Sequence, residues 1–151
     1  MLVSTLEREF GTGFEFNGNL KSFGIFCFIN NVKVDLIHYP HPILQSPEVY
    51  PTGLRLYSDL DIAAMKINAI LGRGKKKDFW DLAELFKKYS LNEIIMWHQR
   101  KYPNQLILIS IPQALLYFDD AEDSEEPVSL KGQTWTSVKQ TITKTVNEFL
   151  K

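Results

Sequence analysis

Residues 58 to 85 read S-D-L-D-I-A-A-M-K-I-N-A-I-L-G-R-G-K-K-K-D-F-W-D-L-A-E-L, and this stretch decides the fold of the chain. Ser58, followed by Asp61 three residues later, has the spacing of a capping box, which marks the start of a helix. Apolar residues then recur at helical spacing as far as Leu71, and a glycine-containing elbow follows. A second amphipathic pattern opens at Asp78. The stretch therefore predicts two helices joined by a short basic elbow.

Positive charge is concentrated in the first of these helices and in the elbow. Lys66 and Arg73 are seven residues apart, so an unbroken helix would present them on one face. Gly72 and Gly74 favour a helix end at this point, which makes that alignment approximate. Three lysines follow: Lys75, Lys76 and Lys77. Such a concentrated positive field suits an oligophosphate, while a solvated helix face and a soluble loop are the plain alternatives.

Two aspartates, Asp78 and Asp81, stand in the first turn of the second helix. Carboxylates at this position complement the partial positive charge of a helix N-terminus, and that alone accounts for them. Their second interpretation is functional, because they also lie beside the cations of the elbow. Spacing does not choose between the two.

The segment over residues 61 to 82 resembles the core signature of a known family. Its pattern is a Lys on a helix, followed by R-G-x-x-[RK]-D-x-x-D-L at the start of the next helix. This is similar to the AbiEii/AbiGii family of nucleotidyltransferase-like proteins, the toxin components of type IV toxin–antitoxin and phage-defence systems. The resemblance continues through V-K-V-D-L-I-H-Y-P upstream and K-Y-P downstream, so it covers roughly residues 20 to 120.

The resemblance implies a transferase that binds Mg²⁺-NTP and passes a nucleotide to an acceptor such as the 3′ end of tRNA. It places Lys66 and Asp78 in the active site, with Lys66 on the triphosphate. Five further positions match the pattern or flank it as candidates for substrate binding: Arg73, Lys75, Lys76, Lys77 and Asp81. The partners that it implies are an NTP, tRNA and a cognate antitoxin.

A third carboxylate, Asp35, stands between Val34 and Leu36 in the middle of a predicted strand, where β-propensity disfavours it. An exposed position on the open face of a sheet explains it most simply. V-K-V-D-L also resembles the strand that contributes a later carboxylate in nucleotidyltransferase folds. The resemblance makes Asp35 a candidate Mg²⁺ ligand or general base.

The chain departs from the family pattern near its start. Family members normally carry a Gly-Gly-Thr or Gly-Ser turn and then an Asp-x-Asp pair that binds metal ions. Here the early glycines, Gly11 and Gly13, are followed by F-E-F, which supplies one carboxylate. We therefore expect a family member that begins after its first catalytic segment and has little or no transferase activity as this chain alone. The alternatives are a non-catalytic remnant that forms a homodimer or binds an antitoxin, and a start codon that lies further upstream.

Composition limits the class of protein. With 151 residues, of which 44% are hydrophobic, the chain predicts one compact domain with a sheet region over 1–57 and a helical region over 58–151. A net charge of -1 excludes a general basic field for nucleic acid. Cys27 is the single cysteine and suits a reducing cytoplasm. We find no signal segment and no membrane-length apolar run, so we expect a soluble cytoplasmic protein without a membrane partner.

Periodicity and turn residues predict an α+β fold with a small, mainly antiparallel sheet and a helical C-terminal half, and the resemblance implies that the sheet is a truncated nucleotidyltransferase core. The predicted elements in chain order are a helix over 2–10, strands over 14–16, 22–29 and 32–39, an irregular connection over 40–53, a strand over 54–57, and helices from 58, 78 and 90 and over 135–150. The resemblance implies one more helix, over 106–118, with a kink at Pro112. Asn30 and Asn31 predict a two-residue hairpin turn. The acidic run over 119–126 predicts a solvated, flexible segment, or a contact with the basic elbow.

Overall fold

A computed structural model describes residues 2–18 and 23–151. The chain divides into two compact units, Met1–His41 and Pro42–Lys151. Small antiparallel sheets come first and a mostly helical half follows, so the α+β class predicted from the sequence is confirmed. The predicted division between residues 57 and 58 stays a prediction. None of the helices in the described ranges combines the length and the apolar character needed to cross a membrane.

The first unit is a helix followed by a three-stranded antiparallel sheet with strand order β1-β2-β3. Its elements are α1 (Leu2–Phe10), a 3-10 turn (Gly11–Gly13), β1 (Phe14–Glu15), β2 (Gly24–Ile29) and β3 (Val32–Ile37). Asn30 and Asn31 have φ angles of 49° and 64°, the left-handed geometry that a two-residue hairpin requires, so the predicted turn is confirmed. Residue 22, the predicted start of β2, lies outside the described residues.

The second unit opens with a short antiparallel hairpin and continues as a helical bundle. Its elements are β4 (Glu48–Val49), β5 (Arg55–Leu56), α2 (Asp59–Gly72), α3 (Lys76–Leu85), α4 (Leu91–Lys101), α5 (Ile111–Leu116), α6 (Asp119–Glu122) and α7 (Trp135–Phe149). Strand β4 lies inside the connection that was predicted to be irregular over 40–53. Helix α2 packs against α3 and α4, and α3 packs against α7.

Side-chain caps fix where the helices begin. Ser58 Oγ accepts the backbone N–H of Asp61 at 3.2 Å, which starts α2 where the sequence predicts. A full capping box would also have the Ser58 backbone N–H donate to the Asp61 carboxylate. Here that carboxylate accepts the Ser58 hydroxyl instead, at 2.8 Å. A complete capping box joins Ser90 and Glu93 at the start of α4. The start predicted for α3 at Asp78 is two residues late, since α3 begins at Lys76 without a side-chain cap.

The predicted kinked helix over 106–118 is wrong. Helix α5 begins at Ile111, and Pro112 lies in its first turn, where a missing N–H costs nothing because that group has no partner inside the helix. Ser110 and Gln113 form the capping box there. Proline therefore starts this helix, and the apolar residues before it stay outside, with Leu106 83% and Leu108 87% exposed.

Aromatic rings anchor α3 in the core of the second unit. Phe79 is fully buried, and its ring centroid lies 5.7 Å from that of Trp135 on α7. Trp80 stacks on the same Trp135 with an interplanar angle of 7°. Because these contacts fix the rotation of α3, its remaining face turns Asp78 and Asp81 toward α2.

Candidate functional site

The junction between α2 and α3 brings together Lys66, Arg73, Asp78 and Asp81, which we call the Lys66 centre. Lys66 Nζ donates to Asp78 Oδ1 at 3.1 Å and lies 2.6 Å from Asp81 Oδ2. Asp78 and Asp81 are three residues apart on α3, so both carboxylates face the same side of the helix. The structure therefore joins residues that the sequence assigned to two separate helices.

Arg73 completes the charge balance around Asp78. The Asp78 side chain is 1% exposed, and Arg73 Nε lies 3.6 Å from its Oδ2 atom. That distance is too long for a hydrogen bond, and Oδ2 has no hydrogen-bond partner in the described residues. A carboxylate buried this deeply needs compensating charge, because removing its partner costs about 3–5 kcal/mol of stability. The two cations supply that charge from the body and the C-terminal cap of α2.

The elbow that lets Arg73 reach Asp78 depends on Gly74. Its φ of 50° lies in the left-handed region, which glycine adopts without strain. Arg73 is the C-cap residue of α2, and its N–H donates to the Ala69 carbonyl at 2.9 Å. The predicted helix end at the two glycines is therefore confirmed, and Arg73 lies in the elbow.

Lys66 is a protonated and well-oriented cation. Burial works to lower the pKa of Lys66, but hydrogen bonds to Asp81 and Asp78 and the charges of these aspartates outweigh burial and raise that pKa above its ordinary value. An ammonium group has three N–H donors, and the two aspartates account for two of them. The side chain is 23% exposed, so one donor remains for a ligand.

A cleft of about 520 Å³ opens beside Lys66, and we call it the Lys66 cleft. Its size falls within the range of small-molecule sites. The hairpin β4–β5 and helix α2 form its main walls. The lining residues are Glu48, Tyr50, Leu56, Tyr57, Asp59, Ile62, Met65, Lys66 and Lys88. Two tyrosines and three apolar side chains therefore lie next to the oriented ammonium group.

A second cleft, the elbow cleft, holds the other predicted cations. Its volume is about 490 Å³, and Arg73, Lys75 and Lys77 line one side. The acidic run lines the other side with Asp120, Asp123, Glu125 and Glu126. The backbone N–H of Lys76 donates to Ser124 Oγ at 2.9 Å, which ties the elbow to this run.

The structure corrects the expectation of a concentrated positive field. In the elbow cleft three cations face four carboxylates, and in the Lys66 centre two cations face two carboxylates. Lys76 is buried and does not line the elbow cleft. Arg73 belongs to both places, Lys66 to the Lys66 centre and Lys75 with Lys77 to the elbow cleft, and in each place carboxylates offset the positive charge. The physical reason is that α6 and the segment after it pack beside the elbow, which is the second of the two interpretations that the acidic run allowed.

Asp35 lies on β3 in the first unit, opposite Phe26 of β2. Its carboxylate is 39% exposed, and Oδ2 lies 3.5 Å from Lys33 Nζ. Residues 2–18 and 23–151 contain no group of three or more His, Cys, Asp or Glu side chains placed to hold a metal ion. Asp78 and Asp81 each face a cation. This donor set does not fit a resident Mg²⁺ ion, and we derive no chemical step from one.

A buried ion pair that the sequence did not predict joins Asp61 and Lys101. Lys101 Nζ donates to Asp61 Oδ1 at 2.6 Å, and both side chains are fully buried. The backbone N–H groups of Leu44 and Gln45 also donate to the Asp61 carboxylate. Forty residues separate the pair, so spacing gives no signal for it. The helical periodicity of α4 could have flagged Lys101, because it falls on the buried face.

The electrostatics of this pair favour the ionised form of the carboxylate. Burial works to raise the pKa of Asp61, but hydrogen bonds from Lys101, Ser58 and the two backbone N–H groups outweigh burial and lower that pKa below its ordinary value. Lys101 Nζ also lies 5.3 Å from the ring centroid of Tyr57. The buried pair therefore lies directly behind one wall of the Lys66 cleft.

Comparison with known proteins gives one informative similarity. A protein of Aquifex aeolicus (strain VF5), described as "Uncharacterized protein aq_aa25", is 35% identical to this chain over 125 residues. The similar region is 81% of this chain and 59% of that protein, so this chain spans less than two thirds of its relative's length. No protein-family model matches the chain. No solved structure matches it.

Proposed function

We propose that this chain is an AbiEii-like nucleotidyltransferase protein that binds Mg²⁺-NTP at the Lys66 centre. The observation that carries the proposal is the convergence of Lys66 and Arg73 on the buried Asp78, because these are the positions at which the chain resembles the family signature. In this proposal Mg²⁺ arrives with the nucleotide as part of the substrate. We place this nucleotide binding in the cytoplasm, where NTPs are available.

Each residue of the Lys66 centre has a separate role in the proposal. The third N–H donor of Lys66 binds the triphosphate, and Mg²⁺ offsets part of the charge that the ligand brings. Asp78 positions Lys66 through its hydrogen bond at 3.1 Å. Asp81 is half exposed and holds Lys66 from the solvent side. Arg73 neutralises the second oxygen of Asp78 and is half exposed itself.

We further propose that this chain alone does not transfer the nucleotide. Phosphoryl chemistry of this kind needs carboxylates that are open to metal ions. The Asp-x-Asp sequence at Asp59 and Asp61 does not supply them: Asp61 is fully buried against Lys101, and Asp59 accepts from Lys88 at 2.9 Å and from Tyr89 at 3.2 Å. Asp35 stays a candidate general base, as the resemblance implies.

Calorimetric titration with each of the four NTPs in Mg²⁺ tests nucleotide binding. We expect binding to at least one NTP, and a loss of tenfold or more in affinity for Lys66→Met, which removes the ammonium group and keeps the length of the side chain. Lys144→Met is the matched control, because Lys144 is an exposed helical lysine outside the Lys66 cleft. Binding that survives Lys66→Met unchanged would contradict the proposal, and so would the absence of binding to all four NTPs.

Incubation of the chain with a radiolabelled NTP and total tRNA tests the proposal that the chain alone does not transfer a nucleotide. We expect no label on tRNA from this chain alone. If the wild-type chain labels tRNA and the Asp78→Asn variant does not, the chain is a complete transferase. That result would contradict this part of the proposal.

A non-catalytic module that forms a homodimer is the second candidate function. It is favoured by a set of apolar side chains that are almost fully exposed: Leu106, Leu108, Val128 and Leu130. They lie in two short segments, 106–108 and 128–130, and apolar side chains this exposed favour contact with a partner where they form one surface. We expect sedimentation to show a dimer that Leu106→Asp with Leu108→Asp dissociates. A strict monomer at high concentration would eliminate the homodimer, and a cognate antitoxin would then be the partner to test.

A further inference from the structure

We infer that the base and sugar of a nucleotide occupy the Lys66 cleft, with the base against Tyr50 and Tyr57 and the phosphates directed to Lys66. This inference rests on the proposed function and extends it, because it assigns the part of the ligand that Lys66 does not contact. The residues concerned, Tyr50 and Tyr57, lie outside the segment that carries the family signature.

The walls of the cleft are chemically different at its two ends. On α2, Ile62, Met65 and Lys66 follow the i, i+3, i+4 spacing of one helix face, so two apolar side chains lead directly to the ammonium group. On the hairpin, Leu56 of β5 adds a further apolar surface. A ligand that matches this arrangement has a flat apolar part joined to an anionic part.

The two tyrosines supply the surface for the flat part. Tyr50 is 47% and Tyr57 is 37% exposed, although both line the cleft. Aromatic side chains left open in a cleft are suited to stacking with a nucleobase, and stacking accepts any of the bases because each has a π-face. The hairpin fixes the position of Tyr50, since its N–H donates to the Leu54 carbonyl at 2.9 Å and its carbonyl accepts from Gly53 at 2.8 Å.

Tyr57 is held from behind by the buried ion pair. Lys101 is fully buried and its Nζ lies 5.3 Å from the Tyr57 ring centroid, which is a cation–π distance. The buried side of this ring is therefore filled by the protein, and the exposed part is left for a ligand. Lys101 acts as a positioning residue for the wall of the cleft.

The charged rim selects the direction of the ligand. Lys88 also lines the cleft, but Asp59 accepts from it at 2.9 Å, and hydrogen bonding to Asp59 raises the pKa of Lys88. Glu48 stands on the hairpin side of the cleft. Lys66 is 23% exposed and held by two aspartates, whereas Lys88 is 64% exposed, so Lys66 is the fixed cation of the cleft. The phosphates therefore lie at the α2 end and the base lies toward the hairpin.

The test compares an NTP with inorganic triphosphate, both in Mg²⁺, by calorimetry on the full chain. Tyr50→Ala and Tyr57→Leu remove an aromatic ring, and the leucine keeps apolar volume at the partly buried position. We expect each variant to lose at least fivefold in NTP affinity, the lower end of the range for losing a base–aromatic stack, and to bind triphosphate as the wild type does. Lys66→Met should weaken both ligands. Tyr117→Ala, an exposed tyrosine outside the cleft, is the control.

The outcomes separate this inference from the proposed function. NTP affinity that depends on Lys66 and stays unchanged in both tyrosine variants would overturn the base site and leave the proposed function standing. A wild-type chain that binds neither ligand would overturn both. If Tyr57→Leu loses its cooperative thermal transition, the NTP affinity of Tyr50→Ala tests the base site by itself. This variant should fold, because the Tyr50 side chain is exposed and its turn hydrogen bonds are made by the backbone.

Discussion

At the scale of single residues, the ion pair of Asp61 and Lys101 is the strongest constraint on the second unit. Both side chains are fully buried, and the carboxylate accepts hydrogen bonds from four separate groups. Such a pair specifies one arrangement of α2, α4 and the segment before the hairpin, because any other arrangement leaves a buried charge without a partner. The Tyr57 wall of the Lys66 cleft depends on this arrangement.

Replacing Lys101 by methionine tests that constraint. Methionine keeps most of the volume but leaves the Asp61 carboxylate buried without its cation, so we expect the free energy of unfolding to fall by about 3–5 kcal/mol. Urea unfolding measures the change. Lys144→Met removes one partner of an exposed ion pair in which Lys144 Nζ lies 3.9 Å from Glu148 Oε1. We expect it to lower the free energy of unfolding by about 0–1 kcal/mol. Equal costs in the two variants would contradict the role assigned to the buried pair.

His98 makes the stability depend on pH. It is fully buried on α4, and burial lowers its pKa below the ordinary value of 6.5, with the Gln105 side chain acting in the opposite direction. The folded chain therefore takes up this proton at a lower pH than the unfolded chain does. Stability is full above pH 6.5 and falls as the pH drops from that value toward the folded pKa.

Urea unfolding between pH 7.5 and about 5 measures this slope. We expect the slope to be shallower in His98→Gln, which cannot take up a proton. His38→Gln, the same substitution at an exposed histidine, is the control. A wild-type free energy of unfolding that stays flat from pH 7 to about 5 would show that His98 is not held neutral by the fold.

At the scale of elements, the elbow between α2 and α3 sets the geometry of the Lys66 centre. Gly72 and Gly74, the two glycines of the elbow, differ in backbone conformation. Gly74 has a φ of 50°, while Gly72 is the last residue of α2 and has open space around its Cα. A Cβ added at Gly74 would meet other atoms only at ordinary contact distances, 3.7 Å and above, so backbone strain is the dominant effect there.

The two glycines give a matched pair of variants. We expect Gly74→Ala to lower the free energy of unfolding by about 1–2 kcal/mol, because alanine is strained in the left-handed region. Gly72→Ala should be neutral or raise it by about 0.5–1 kcal/mol, because alanine favours helix. Thermal and urea unfolding measure both. A Gly74→Ala variant as stable as the wild type would show that the elbow can adopt another conformation.

Local chemistry explains which elements the sequence predicts well. The Asn30-Asn31 turn and the starts of α2 and α4 follow from side chains that act within three residues, and they are correct. The helix over 106–118 rests on the resemblance and fails, because the capping box of Ser110 and Gln113, with Pro112 in the first turn, starts the helix at Ile111. The start of α3 is displaced because Lys75 provides no side-chain cap, so tertiary packing of Phe79 and Trp80 determines where the helix begins.

At the scale of the whole molecule, the candidate site is only partly readable from the sequence. Lys66, Arg73, Asp78 and Asp81 lie within sixteen residues, and two predicted helices suffice to suggest that they meet. The tyrosine wall and the buried pair behind it come from distant segments, and their placement depends on how helices and hairpin pack, which a single sequence does not state. The acidic run differs, because its charge already suggests a contact with the basic elbow.

The most direct test of the central claim is a crystal structure of the chain with Mg²⁺ and a non-hydrolysable NTP analogue. We expect a phosphate oxygen within hydrogen-bond distance of Lys66 Nζ, about 2.7–3.2 Å, with Asp78 and Asp81 in contact with that lysine. We also expect the base between Tyr50 and Tyr57. An analogue bound elsewhere, with Lys66 contacted by its two aspartates alone, would show that the Lys66 centre joins two helices and holds no nucleotide.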